Sequence, residues 1–276
     1  MAAVLALLSS LLWGTSDFLG GATSRRLPVF AVYGASQVFG AMVLVVIAVG
    51  TGAWRSDPGY WPWAVGGAVG GSIGMLLFYR ALAIGQMGIV APLVGLCVLI
   101  PVTWGLVHGE QPTSIQELGI VLAIAGILLA SGPELGDAAG AESIVLATLA
   151  LVSFGFVLIA VAQGSQVNAV MTTTAMRLVT VGIVLIVLVI VRTTGGVRWR
   201  DVGVLATIGI TDGGANLAFA LATTMGLLTV TSVLASLYPV VTALLAAIVL
   251  HERLRPVQYV GVASAILGIV LVSSTV

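Results

Sequence analysis

The chain has almost no charge to turn toward water. Of 276 residues only 7% are Asp, Glu, Lys or Arg, while 59% are hydrophobic; a soluble domain carries about a quarter charged residues. Such a composition cannot cover a globule with solvated side chains, so a water-soluble fold is excluded and an integral membrane protein follows. Lysine is absent: all ten basic residues are arginine, balanced by ten acids. With a net charge of zero nothing suggests nucleic-acid binding, and no nucleic-acid partner is expected. The one cysteine, Cys97, excludes an intramolecular disulfide and reads as a packing residue in an apolar run. Two histidines, His108 and His251, each lie near a glutamate at the end of an apolar run. With no His-rich cluster, P-loop or GxSxG, no metal, no cofactor and no enzyme activity are expected. The opening MAAVLALLSSLLWG lacks the basic n-region of a signal peptide and reads as a retained first span.

Long apolar runs are what the chain has in plenty. A helix crossing the hydrocarbon needs about 20 mostly apolar residues. Ten windows qualify, at about 2–21, 29–50, 61–84, 88–108, 114–131, 142–163, 169–191, 201–224, 229–250 and 256–274. The remainder is short loops, with no room for a separate soluble domain. The stretches EQPTSIQELGIVLAIAGILLAS (110–131) and ERLRPVQYVGVASAILGIVLVS (252–273) align without a gap at a displacement of 142, with nine of 22 positions identical. Glu110 and Glu252, Gln116 and Gln258, Gly119 and Gly261, and Gly126 and Gly268 coincide, which a shared leucine content does not explain. The expected fold is an all-α membrane protein with ten transmembrane helices as two inverted five-helix repeats, 1–133 and 142–276. The polar segment SGPELGDAAGAES (131–143) joins them. Five is odd, so the second repeat enters the membrane with opposite orientation. Inverted halves about an in-plane pseudo-two-fold axis are a transporter architecture.

Four charged residues interrupt the spans: Asp17, Arg80, Arg177 and Asp212. An ionisable group in a bilayer is costly and faces a cavity or an opposite charge. Depth along the spans sets Asp17 level with Arg80 near one face, and Arg177 with Asp212 nearer the other, the layout of two gates. Asp17 shares a helical face with Ser10, Trp13, Gly14 and Gly21 and is expected to point into the bundle. Four roles fit it: a structural ion pair, a carboxyl near the headgroups, a substrate contact, or a proton-coupling group. In span eight, TIGITDGGANLAFALA sets Asp212 and Asn216 four residues apart on one face. Tyr79 and Tyr238 offer aromatic walls. The candidate substrate contacts are thus Trp13, Asp17, Tyr79, Arg80, Asp212, Asn216 and Tyr238, with Asp17 and Asp212 as candidates for proton coupling. An acid and a base in one cavity would suit a zwitterion such as an amino acid. Gly66, Gly70 and Gly74 recur every four residues, and Gly119/Gly126 and Gly261/Gly268 every seven, each set a close-packing face. The last two sets suit a scaffold contact or a homodimer contact. Mid-span Pro92, Pro101 and Pro239 are expected kinks.

Three stretches together resemble the drug/metabolite transporter superfamily, in particular its EamA-like members. They are LLWGTSDF in span one, YRALAIGQMGIVAPL (79–93), and LASLYPVVTALLAAIVLHERLRPVQYVGVASAILGIVLV (234–272). The last is similar to that family's P…(L)xER…G…G pattern, and HGEQPTSIQELGIVLAIAGILL is its first-half counterpart. The resemblance implies ten helices in two inverted repeats and the export or exchange of small metabolites. Cys97 departs from the pattern, standing where the second half has Pro239. The expected function is a multi-pass secondary transporter of the plasma (inner) membrane, exporting an amino acid or similar polar or amphipathic solute by alternating access. The alternative is a passive channel or facilitator for small solutes. Membrane lipid, a small-molecule substrate and coupled protons are the expected partners. Seven arginines (25, 26, 192, 198, 200, 253 and 255) lie on the side away from the termini, and Arg55 alone lies on the other. The positive-inside rule then puts both termini outside, whereas the resemblance implies both inside, and the sequence leaves the orientation unassigned.

Overall fold

In hydrocarbon a single segment can satisfy its own backbone polar groups only as a helix. Every regular element among the described residues is helical. The computed structural model describes residues 1–84, 90, 93–130, 140–192, 195–249 and 256–273, leaving aside the side chains of Tyr79, Leu82, Ala83, Val191 and Ser273. The helices are α1 (Ala2–Ser24), α2 (Val29–Thr51), α3 (Trp61–Ile84), α4 (Leu99–Val107), α5 (Ser114–Ala130), α6 (Ala141–Val191), α7 (Val202–Thr223), α8 (Leu228–Ala235), α9 (Tyr238–Val249) and α10 (Pro256–Ser273). Among the described residues, six helices are long and apolar enough to cross a membrane by length and composition. Three shorter apolar ones are Leu93–Val107, Ser114–Ala130 and Pro256–Val272.

That count differs from the ten sequence windows partly because helix breaks do not follow hydropathy. The sixth and seventh windows fall in the 51-residue α6, which if straight would measure about 77 Å, more than twice a hydrocarbon thickness of about 30 Å. It turns at Asn168, whose backbone is extended (φ −163°, ψ 110°). The Asn168 Oδ1 accepts a hydrogen bond from the Met171 N–H at 2.9 Å and so caps the second limb. The ninth window is divided between α8 and α9, and Pro239, in the first turn of α9, has no N–H to continue the ladder. In the first half the chain tightens into a 3-10 turn at Leu96–Val98, around the Cys97 that aligns with Pro239. Pro101 sits in the first turn of α4, so Pro101 and Pro239 both stand where helices start, the position at which a missing N–H matters least. Pro92, the 131–139 part of the linker and the segment 250–255 lie outside the described residues.

Packing partners exchange between the halves. The helix α3 lies along α6, while α7 lies along α1 and α2, the relation a pseudo-two-fold requires. The Gly66 and Gly70 positions receive Phe156, and Gly74 receives Phe154. The helices α5 and α10 pair through their repeat-related glycines: a Cβ on Gly126 would meet the Ala265 nitrogen at 2.6 Å, and one on Gly261 the Ala130 nitrogen at 2.3 Å. Backbones this close bring polar side chains onto the facing helix. Ser264 Oγ donates to the Leu122 carbonyl at 2.8 Å, and Gln258 Nε2 to that of Ala130 at 3.2 Å. Both glycine sets thus serve a contact inside one chain.

The two ends of the bundle are built differently. On the side that holds Met1 and the 223–228 turn, here the proximal side, Ser9, Ser10, Thr229, Thr231 and Ser232 are buried. The Glu110 carboxylate accepts from the N–H groups of Leu228 at 2.6 Å and Thr229 at 2.8 Å. It also accepts from the Thr229 hydroxyl. An anion there meets the unsatisfied donors and positive dipole end of α8, tying the first half to the second. A cavity of about 190 Å³ lies beside this contact, lined in part by Trp104, His108, Glu110 and Gln166. His108 Nδ1 lies 2.8 Å from the Trp104 carbonyl, so this histidine closes its helix end. On the opposite, distal side Arg26 pairs with the buried Asp201.

Candidate functional site

Glycine contacts bring the site's side chains within reach of one another. The helices α2 and α7 cross at backbone distance: a Cβ on Gly40 would lie 2.7 Å from the Gly209 carbonyl oxygen. One turn from each glycine, Gln37 on α2 and Asp212 on α7 therefore approach the same point. The second limb of α6 fits against α3 at Gly67, where a Cβ would meet the Met176 sulfur at 2.9 Å, and the next residue is Arg177. Its Nη1 lies 2.7 Å from Asp212 Oδ2 and donates to Gln37 Oε1. Arg177 is only 5% exposed. Asn216 Nδ2 donates to the Asp212 carbonyl at 2.8 Å and to its Oδ1 at 3.3 Å. Tyr33, one turn from Gln37, lies in the field of both Arg177 and Asp212 and meets the Ser72 hydroxyl of α3. Helices α2, α3, α6 and α7 thus converge on one ion pair, with amide and hydroxyl groups around it. This is how a charge is kept in low dielectric.

Asp17 completes the constellation from α1. Its charge and that of Asp212 act on each other, and Tyr238 also lies in its field. The lipid-facing side of α1 is marked by the exposed Val4, Leu8 and Leu11. At 100° per residue Asp17 lies on the opposite side, yet it too is exposed. Its exposure therefore faces an opening within the bundle. A side chain on Gly20 or Gly21 would meet nothing within 4 Å, whereas on Gly14, one turn before Asp17, it would meet Val241 at 2.5 Å. Below Asp17, Trp13 packs on Phe219, with centroids 5.9 Å apart, and edge-on to Tyr238 at 6.1 Å. The opening thus widens toward the distal end of α1 and is floored by aromatic rings.

The sequence model of the EamA-like transporter family matches residues 1–132 and again residues 142–274. The chain belongs to the EamA-like transporter family. This makes it a multi-pass membrane protein and a transporter of small solutes by family. One solved crystal structure superposes on this EamA-like chain with a TM-score of 0.83 at 18% identity, covering 99% of this chain and 96% of the other. At that identity the likeness is one of fold. No curated protein matches the sequence.

Of the side chains singled out in the sequence, the EamA-like fold brings five together: Trp13, Asp17, Asp212, Asn216 and Tyr238. Arg80 is elsewhere, on the exposed side of α3, with its Nη2 3.5 Å from Glu142 Oε1. The side chain of Tyr79 lies outside the described residues. Of the two charge groupings expected from depth, Arg177 with Asp212 forms, whereas Asp17 with Arg80 near the opposite face does not. The helix α1 runs one turn past its hydropathy window, to Ser24, so Asp17 sits deeper than that window implies and lies in the field of Asp212. Three members of the cluster were not among the expected contacts: Arg177, Gln37 and Tyr33. The Tyr33–Gln37 spacing of four, inside an otherwise apolar span, is the pattern that marks them.

Proposed function

We propose that this protein is a secondary carrier of a small polar or amphipathic solute, exporting it across the plasma membrane by alternating access. In this reading its ten spans form two inverted five-helix repeats. Windows six and seven are the two limbs of α6, and window nine is α8 with α9. The observation that carries the reading is an interior ion-paired cluster beside which, among the described residues, Asp17 is exposed and Gly20 and Gly21 face open space toward the distal end of α1. Toward the proximal side the aromatic floor, the buried Ser9 and Ser10, and the Glu110 contact with α8 stand in the way. A carrier needs such an asymmetry, because an interior open at both ends would be a pore. The exchanged packing of α3 and α7 supplies the second state in principle, since each half can adopt the other's arrangement.

Reconstituted full-length protein tests this. Proteoliposomes preloaded with a panel of amino acids and arylalkylamines are expected to show saturable counterflow of at least one labelled member, reduced at least tenfold by Asp212→Asn. Flux that rises linearly with concentration and shows no counterflow would establish a facilitator instead.

A further inference from the structure

We infer that the interior site takes a cation, namely a solute with an ammonium group on an apolar or aromatic body, held by Asp17 and walled by Trp13 and Tyr238. This names the solute class of the carrier proposed above and rests on that reading. The charges decide it. Among the described residues the Arg177–Asp212 pair lies in the interior, with Asp17 in the field of Asp212. Arg177 is engaged by Asp212 at 2.7 Å and by Gln37. Its Nε is buried without a partner and lies 3.6 Å from where a Gly40 Cβ would be, so it faces the α2 backbone rather than the opening. The pair neutralises itself.

Asp17 remains. It makes no hydrogen bond or ion pair among the described residues, and the residue is exposed although it lies on the bundle side of α1. An anionic solute would meet one uncompensated carboxylate with a second in range. A zwitterion would need a free guanidinium for its own carboxylate; Arg177 is taken, and Arg80 lies at the exposed edge beside Glu142. A neutral solute would leave the Asp17 charge without a counterion in a low-dielectric interior. A cation balances it, and the Trp13 and Tyr238 rings supply the π faces that attract an ammonium.

The test is a matched ligand series on the full-length protein in lipid nanodiscs, read by calorimetric titration. The series is phenethylamine, the permanently charged phenyltrimethylammonium, phenylalanine, 3-phenylpropionate and 2-phenylethanol. Both cations are expected to bind at least tenfold more tightly than the zwitterion, the anion and the alcohol. Asp17→Asn is expected to lower cation affinity at least tenfold, and Asp17→Glu, which keeps the charge, to retain most of it. The ranking on the unmodified protein stands even if a variant misfolds. Phenylalanine or 3-phenylpropionate binding as tightly as the amines, cation affinity unchanged in Asp17→Asn, or no cation binding at all overturns the inference. Cation binding through Asp17 without counterflow of any solute would keep the site and sink the carrier reading. Amino-acid counterflow without cation binding would do the reverse.

Discussion

Two of the arginine–carboxylate pairs among the described residues join one α-helix to another, and they are opposites. Arg177 and Asp212 meet at 2.7 Å with side chains 6% and 24% exposed, whereas Arg80 and Glu142 meet at 3.5 Å with side chains 63% and 68% exposed. Gln37 accepts from the Arg177 guanidinium and Asn216 donates to the Asp212 carboxylate, leaving the buried Arg177 Nε unanswered; the second pair has solvent or headgroups around it. Burial makes a pair interdependent: each charge is tolerable only while the other is present. Exposure makes the two charges nearly independent. One pair therefore organises four helices, and the other decorates an edge.

The sharpest way to break this comparison is Arg177→Gln, which strands Asp212 in the interior. A loss of about 3–5 kcal/mol is expected, measured by denaturant unfolding in micelles. Replacing both partners, as Arg177→Met with Asp212→Leu, should recover most of that stability, because the double change removes the isolated charge. Solute flux should not recover with it. A smaller effect is expected of Glu110→Gln, an intermediate case whose acceptors meet backbone donors rather than a cation. It should cost about 1 kcal/mol and speed alkylation of a cysteine placed at Thr231 from the proximal side, on a Cys97→Ser background. Unchanged labelling would show that this contact does not hold the proximal side shut. Smallest of all is Arg80→Gln, expected within about 0.5 kcal/mol of the parent. A shift as large as that of Arg177→Gln would erase the distinction between the two pairs.

Much of the fold was legible because hydropathy and helix periodicity are local properties. Six of the windows match single helices, α1, α2, α3, α5, α7 and α10, to within a few residues, and the register of Gly119/Gly126 with Gly261/Gly268 anticipated two close-packing faces. Hydropathy did not show that those faces meet each other, since a glycine face reads the same against any backbone. Nor did it show the break at Asn168, because a polar residue between two apolar windows fixes no backbone angle. In the site, Asp212 and Asn216 were legible from their spacing of four on one helix. Depth also grouped Arg177 with Asp212, and the two do pair; Gln37 was not legible, because it reaches the pair from another helix and depth along the normal is blind to lateral position. Arg80 shows the same blindness in reverse: its depth suited Asp17, and its side chain turned to Glu142.

The sequence by itself determined that this chain is helical, membrane-embedded and built twice over, because those properties follow from what each segment must do with its own backbone and apolar surface. Only the tertiary structure decided which acid answers which base, which end of the bundle is packed, and that Asp17 is left facing an opening. These depend on contacts between segments far apart in sequence. The Gly40–Gly209 approach, for one, brings Gln37 and Asp212 to the same point, and no pattern along one helix encodes it.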